Sequence, residues 1–555
     1  MSRDVFRRYP ALAYLVGAGV LAVLLPSALI VPNSGPPTLA EYAPVTGDGD
    51  GTGDLSHLGQ AGSGGLGSGR GSDRPGASRP DTDDPLRPVT RKAGTKRCVG
   101  TPPRQTEDLL SPPCIAFFDG DNGGATAKGV TKDEVRLVLI LDSAESSGLR
   151  GKWFDCALGP SPDDPPEVHG CKAFANYFGE RYQTYNRRPR VWAYFHRTKQ
   201  YGTELQEVVE KVDPFGIVAM GEQGNGSPIT SSAANRQIMG AAYEPSSRDN
   251  YLRRAPYMVS FRQDTTEQRT LAASFVCLKL KNGGVRFTDN PIDRGKRRVF
   301  GAVGYQINSG TGTEFKRIVR DMCDIELAAM EEATDPNTPS KMKAANVTTA
   351  VLFPNTSGVN ILATNNAAKD GWFPEWVVPG DWVTRGVDTN ESARMLNSSQ
   401  WRNAVGITFD YRRDHLTDQA WYRAYREGCP TCPEPADPDA PWTYDSFTMM
   451  FYGIQAAGPR LTPQNFDKGM HAIPPDRSSS PYKPAAYFAP DNYTFIKDAA
   501  VIWWDPAGRA PGDPNPGCYR MSGAGTRFRV GEYTAGDQDI RGDGDPCQGS
   551  ATSVR

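Results

Sequence analysis

Short apolar runs alternate along this chain with polar, Gly-rich turns, and the spacing of the apolar positions switches between strand-like and helix-like. Residues 135–141 (VRLVLIL) form a near-continuous apolar run, the pattern of a strand buried on both faces. Residues 142–170 read as an insertion, whose SPDDPPE predicts no regular structure. Residues 172–186 carry Phe174, Tyr177, Phe178, Tyr182 and Tyr185 at helical spacing. A strand at 190–195 and a helix at 203–212 follow, the helix with Leu205, Val208, Val209 and Val212 on one face. Strand 217–220 runs into a turn at 221–228, strand 238–242 into a turn at 243–250, and a fifth strand spans 256–261. Asp264 stands where it can cap a helix over 265–280, and Glu267 three residues on completes a variant capping box.

The second half repeats the pattern. It predicts a strand at 298–305 with a turn at 306–312, a helix at 314–332, a strand at 347–353, a helix at 360–368 and a strand at 372–378. The last two strands end in Pro354-Asn355-Thr356-Ser357 and Pro379-Gly380-Asp381-Trp382. A strand at 404–409, helices at 416–427 and 442–457, and a hairpin at 488–504 complete the body. Strands alternating with helices argue for βαβ units and parallel sheets. A body of about 400 residues is too large for one core, so two lobes are expected.

In such sheets ligands sit at the carboxyl ends of the strands. The strand ends near Asn225, Gly226 and Ser227, and near Ala242, Tyr243 and Glu244, carry small and polar groups that would form one wall of a cleft. Those after Tyr305, at Asn355, and at Asp381 and Trp382 would form the other. Backbone N–H groups at 225–227 would favour an anion. Asp381 or Glu244 would suit a cation, and Tyr243, Trp382 or Tyr411 could stack on a flat ligand. The plainer reading is that each glycine permits a tight turn and each Ser or Asn caps the helix that follows.

Residues 1–35 hold a basic start, MSRDVFRRYP, and an uncharged stretch at 11–31 long enough to cross a bilayer. The basic flank would keep the N-terminus cytoplasmic and send the rest out. An uncleaved anchor and a cleaved signal peptide share this polarity, the latter with a shorter core and a small-residue cleavage site. Residues 36–96 are Gly/Ser/Asp-rich, too poor in apolar side chains to fold, and read as a flexible tether. Residues 97–505 are the two-lobed domain, with lobe 1 at about 130–262 plus 410–505 and lobe 2 at about 263–409. Residues 506–555 read as an irregular, disulfide-stapled tail.

Ten cysteines fit an extracytoplasmic location, although their connectivity does not follow from sequence alone. Pairing neighbours would give Cys98–Cys114, Cys156–Cys171, Cys277–Cys323, Cys429–Cys432 and Cys518–Cys547. A redox reading of Cys429-Pro430-Thr431-Cys432 needs the motif to open a helix, and here it follows one. A zinc reading needs a second ligand pair, which is absent. The net charge of −2, without a basic stripe, argues against nucleic acid as a partner.

No H-E-x-x-H, G-x-S-x-G or Walker motif occurs. Of five histidines, only His196, beside Arg197 at a strand end, is in a suggestive place. The run Asp119-Gly120-Asp121-Asn122-Gly123-Gly124 lacks the spacing and terminal glutamate of an EF-hand and reads as a turn. No enzyme activity, cofactor or metal is expected.

Four segments stand out together: Gly129-Val130-Thr131-Lys132-Asp133-Glu134-Val135-Arg136-Leu137, Ile217-Val218-Ala219-Met220-Gly221, Ala241-Ala242-Tyr243-Glu244-Pro245, and Phe261-Arg262-Gln263-Asp264-Thr265-Thr266-Glu267-Gln268. In order and spacing they resemble the branched-chain amino acid (Leu/Ile/Val) binding proteins of the type 1 periplasmic-binding fold. The resemblance covers about 129–505. It implies an α/β venus flytrap of two Rossmann-like lobes, joined by three hinge strands near 261–264, near 380–385 or 409–412, and near 452–459. It implies a monomeric solute-binding component of an ABC importer, with a permease as partner. On the family's pattern Ser227 would hold a ligand carboxylate and Ala241 would face the ligand. Tyr243 stands where a threonine would be, Tyr305 near a binding tyrosine, and Asp381 near an acid that grips an ammonium. The alternative is an anchored sensing or envelope interaction protein using the same fold without transport.

Overall fold

The computed structural model describes residues 98–549, except 117, 142–147, 198–200, 220–225, 244, 354–356 and 381–388, together with the backbone of Pro88–Val89. The expected anchor at 1–35 and nearly all of the tether lie outside the described residues. Among those described, no helix is long and apolar enough to cross a membrane.

The first apolar run forms β1 (Glu134–Leu141), whose last residues are all buried. Next comes β2 (Trp153–Asp155), then α1 (Pro166–Arg181) and β3 (Arg188–Phe195). Both β2 and the first turn of α1 fall in the stretch that sequence assigned to an irregular insertion. Pro166 opens the helix at its first position, where the missing N–H costs nothing, and Cys156–Cys171 fastens the turn after β2 to α1. There follow α2 (Tyr201–Val212), β4 (Gly216–Ala219), α3 (Gly226–Ala234), β5 (Met239–Ala242), α4 (Arg248–Arg254) and β6 (Met258–Ser260). The sheet order is β2-β3-β1-β4-β5-β6, parallel except for β2.

The chain then leaves for a second sheet. α5 (Thr265–Phe275) opens on the expected capping box of Asp264 and Glu267 and continues into a π-turn at Val276–Leu280. β7 (Phe300–Gly304) and α6 (Thr311–Cys323) follow. Sequence extended this helix to 332. Instead Asp324 adopts a left-handed conformation, its N–H bonding to the Arg320 carbonyl, and the helix stops. Residues 329–332, of helix-like composition, become an edge strand, β8 (Ala329–Glu332), paired with β7. α7 (Thr338–Ala344), β9 (Thr349–Leu352), α8 (Ser357–Lys369), β10 (Glu375–Pro379) and β11 (Ala404–Thr408) complete the parallel part.

The return path adds α9 (Ala420–Gly428), α10 (Ala440–Ala456) and α11 (Pro463–Ala472) to the first lobe. Every residue of α10 is buried. A Cβ at Gly428 would overlap the Ala173 carbonyl, so this glycine lets α9 lie against α1. The expected hairpin at 488–504 is replaced by scattered bridges, such as Ala486 with Ile496, and one long strand, β12 (Ala499–Asp505). That strand pairs antiparallel with β11, in the second sheet rather than in lobe 1, where sequence placed it. Residues after 505 are not a loose tail. β13 (Cys518–Met521) and β14 (Arg527–Phe528) both pair with β12, and Tyr519, Met521 and Ile540 are fully buried. The second sheet runs β8-β7-β9-β10-β11-β12-β13.

Lobe 2 is therefore residues 265–408 plus 499–548. Both lobes hold five parallel strands in the doubly wound order 2-1-3-4-5. The chain changes lobes at 261–264, 409–412 and 494–498. The second crossing is the 409–412 alternative, because 380–385 lies between two strands of one sheet. The third differs from the expected 452–459, which is the end of α10 within lobe 1. The five neighbouring cysteine pairs are disulfides. A strap at 98–116 is stitched onto lobe 1 by Tyr444 Oη donating to Asp108 (2.8 Å) and Gln455 Nε2 donating to the Pro113 carbonyl (3.2 Å). In the expected turn at 119–124, the Asn122 side chain donates to the Lys132 and Tyr185 carbonyls.

Candidate functional site

In a 2-1-3-4-5 sheet the ligand crevice opens where the strand order reverses. In lobe 1 this is the carboxyl end of β1 and β4, with β5 beside them; in lobe 2 it is the end of β7 and β9, with β10 beside them. Every crossing leaves or enters a sheet at this same edge. Residue 260 ends β6, residue 408 ends β11, and β12 begins at 499 beside the end of β11.

The expected ligand residues divide into three groups. Asn225, Glu244, Asn355, Asp381 and Trp382 lie outside the described residues. Gly226 and Ser227 form the start of α3, so the helix begins inside the expected turn. Ala241, Ala242, Tyr243 and Tyr305 are described. Ala241 and Ala242 are the last two residues of β5, wholly buried inside the strand. Tyr243 is 2% exposed. Its ring lies 5.5 Å from Trp442 of α10, and the Arg262 guanidinium sits 4.5 Å from its centroid. Tyr243 therefore packs into lobe 1 instead of lining an open wall. Tyr305, just past β7, is 39% exposed and is the one of these four open to solvent.

Around Tyr243 the structure assembles charged groups that sequence reasoning did not single out. Arg262 on the first crossing pairs with Asp410 on the second, and Arg413 also pairs with Asp410. Burial opposes the Asp410 charge, but Arg413, Arg262 and Arg527 together hold its carboxyl below the usual range. Arg527, from the C-terminal segment, donates to the carbonyls of Phe409 (2.9 Å) and Asp410 (2.6 Å) and to Asp498 Oδ1 (2.8 Å). Both side chains of the Arg527–Asp498 pair are wholly buried. Gln263 Nε2 donates to the Asp498 carbonyl at 3.0 Å, and the N–H groups of Phe495 and Ile496 donate to the Ser260 and Phe261 carbonyls. All three crossings are thus tied together. Arg262 stands in a segment quoted for the family resemblance; Asp410, Asp498 and Arg527 belong to no local motif.

A second buried cluster sits at the start of α5. Glu267 bonds to Lys497 Nζ (2.9 Å), Thr494 Oγ1 (2.6 Å) and Asn492 Nδ2 (2.8 Å), and Arg248 lies 3.2 Å from Asp264. Burial and the neighbouring Glu267 push Asp264 up to about 6 despite Arg248. Burial also opposes the Glu267 charge, but Lys497 and its other partners hold its carboxyl below the usual range. Among the described residues no group of His, Cys, Asp and Glu side chains could hold a metal ion.

No family model matches the chain, and no curated protein matches it. Similar solved structures are solute-binding proteins. The ABC transporter solute binding protein of R. palustris, in complex with 4-hydroxybenzoate, is 11% identical with a TM-score of 0.48, over 73% of this chain and 99% of that one. The branched-chain amino acid transporter substrate binding protein of Streptococcus pneumoniae, in complex with isoleucine, is 14% identical with a TM-score of 0.46, over 67% and 96%. A type 1 periplasmic binding protein of Bordetella pertussis is 11% identical with a TM-score of 0.47, over 70% and 99%.

Proposed function

We propose that the chain is an extracytoplasmic solute-binding protein, tethered outside the membrane by its N-terminal residues. It would capture a small polar solute, such as an amino acid or amide, between its lobes for an ABC importer, without chemistry on the solute. One observation carries the reading: two doubly wound sheets present their switch-point ends at the edge where all three crossings pass. In this reading the crossings act as the hinge, and Ser227 and Tyr305 stand on opposite walls.

The test is a thermal-shift screen of the purified protein against amino acids, amides, sugars and aromatic carboxylates. A ligand that binds only the folded state raises the apparent melting temperature by mass action. The reading expects at least one hit, recovered unchanged, whose affinity falls in Ser227→Ala with Tyr305→Ala. Tyr243 is a poor probe because its substitution would open a cavity beside Trp442. Absence of any hit would count against solute capture, and turnover of a hit against the binding role.

A further inference from the structure

A cavity of about 450 Å³ lies on lobe 1, bounded by the strap at 107–109, α1, α9, the segment 411–419 and Tyr482. None of its lining residues belongs to a switch-point loop of either sheet. Tyr177, Tyr411 and Tyr482 supply aromatic wall. Five carboxylates line it (Glu107, Asp108, Asp414, Asp418 and Glu427) against three arginines (412, 413 and 423) and the exposed His415.

The arginines are already matched. Arg412 bonds to Asp414 at 3.0 Å and lies 5.1 Å from the Tyr482 ring, whose hydroxyl donates to the same carboxylate. Arg413 is held by Asp410, and Arg423 lies 3.5 Å from Asp418. Glu427 and Glu107 share Arg181 from outside the cavity. Asp108 is left over. It is half-buried and accepts from the Leu110 N–H (2.8 Å) and Tyr444 Oη (2.8 Å), and no cation among the described residues reaches ion-pair distance. Burial, the largest influence, raises its pKa in spite of those two bonds and the nearby Arg104 charge. A carboxylate removed from water without a directly paired counter-ion is costly, and a bound cation would offset that cost.

We propose that this cavity is a binding site for a small organic cation, an alkylammonium whose charge is met by Asp108 and whose body lies against the tyrosine wall. Aromatic faces attract such cations through the ring quadrupole, most strongly where water is excluded. The site shares Tyr411 and Arg412 with the second crossing but no residue with the walls at Ser227 and Tyr305.

Isothermal titration of the purified full-length protein with choline, n-butylammonium and the uncharged choline isostere 3,3-dimethylbutanol tests this. Both ammonium ions are expected to bind, with the neutral isostere weaker by about tenfold or more. Asp108→Asn, which can still accept from Leu110, is expected to weaken choline by about tenfold. Tyr482→Leu, at an exposed position, should weaken it by a smaller factor and keeps the test open if the Asp108 variant does not fold. Ser227→Ala with Tyr305→Ala should leave choline binding unchanged. Equal binding of the neutral isostere, no heat with either ammonium ion, or unchanged affinity in folded Asp108→Asn or Tyr482→Leu would each overturn the proposal.

Discussion

In lobe 1 the space between α1 and α10 is filled with rings. Phe178 lies 5.3 Å from Phe451, 6.0 Å from Phe447 and 5.3 Å from Tyr444, with Phe174 and Tyr182 beside it. Lobe 2, built on the same strand order, buries charge. Arg298 bonds to Glu375 (2.7 Å) and Asp537 (2.7 Å), with Arg298 and Glu375 wholly inaccessible. Glu375 also accepts from the N–H groups of Arg286 and Phe287 and from Thr349 Oγ1. The difference follows from how each sheet is finished. Two long helices, α1 and the wholly buried α10, pack their aromatic rings over lobe 1 directly, whereas lobe 2 is closed by an irregular C-terminal segment, whose polar groups need specific partners once buried.

The comparison can be broken hardest by ending the chain at Asp505. This removes β13, β14, Asp537 and Arg527 together, and lobe 2 is expected to lose cooperative unfolding while the near-UV circular dichroism of lobe 1 aromatics weakens less. A truncated protein that melts like the full chain would refute the role given to the segment. Next in size, Arg298→Met leaves buried Glu375 without its ion-pair partner and Asp537 with Arg286 alone, and should cost about 3–5 kcal/mol in urea unfolding. Phe178→Ala should cost a similar amount, about 3–5 kcal/mol, through the cavity it opens in lobe 1. The two losses should differ in salt sensitivity if charge closes one lobe and packing the other.

The smallest effect concerns Asp264 at the first crossing. Its folded pKa, about 6, lies above the ordinary 3.8, so the folded state holds the proton more tightly. Its contribution is fully present below the ordinary value and is lost as pH rises through about 6. Asp264→Asn can still cap α5. The stability of wild type minus that of the variant should therefore fall by roughly 1–3 kcal/mol across that window. A difference that stays flat would mean that Asp264 is not desolvated in solution.

Much of lobe 1 was legible in the sequence because its strands are continuous apolar runs, as at β1, and because the Asp264–Glu267 capping box is a local signal. Residues 329–332 were misread because Ala-Met-Glu-Glu suits a helix, and only pairing with β7 makes it a strand. The third crossing escaped notice because 486–496 is held by isolated bridges, which leave no periodic pattern. The walls proposed at Ser227 and Tyr305 rest on strand ends that any doubly wound sheet would announce. The burial of Tyr243 depended on Arg262 and Trp442, distant in sequence, and no local pattern announces such a contact.

The order of segments also bears on how the protein is made. Lobe 1 takes its central helix, α10, from residues beyond 440, and lobe 2 takes β12 to β14 from beyond 499. A chain emerging from its N-terminus would therefore carry two unfinished lobes at once, the first lacking its covering helix and the second the last strands of its sheet. The second and third crossings would gain their last tie only when Arg527 arrives to meet Phe409, Asp410 and Asp498. Completion of both lobes thereby waits until almost all of the chain is present.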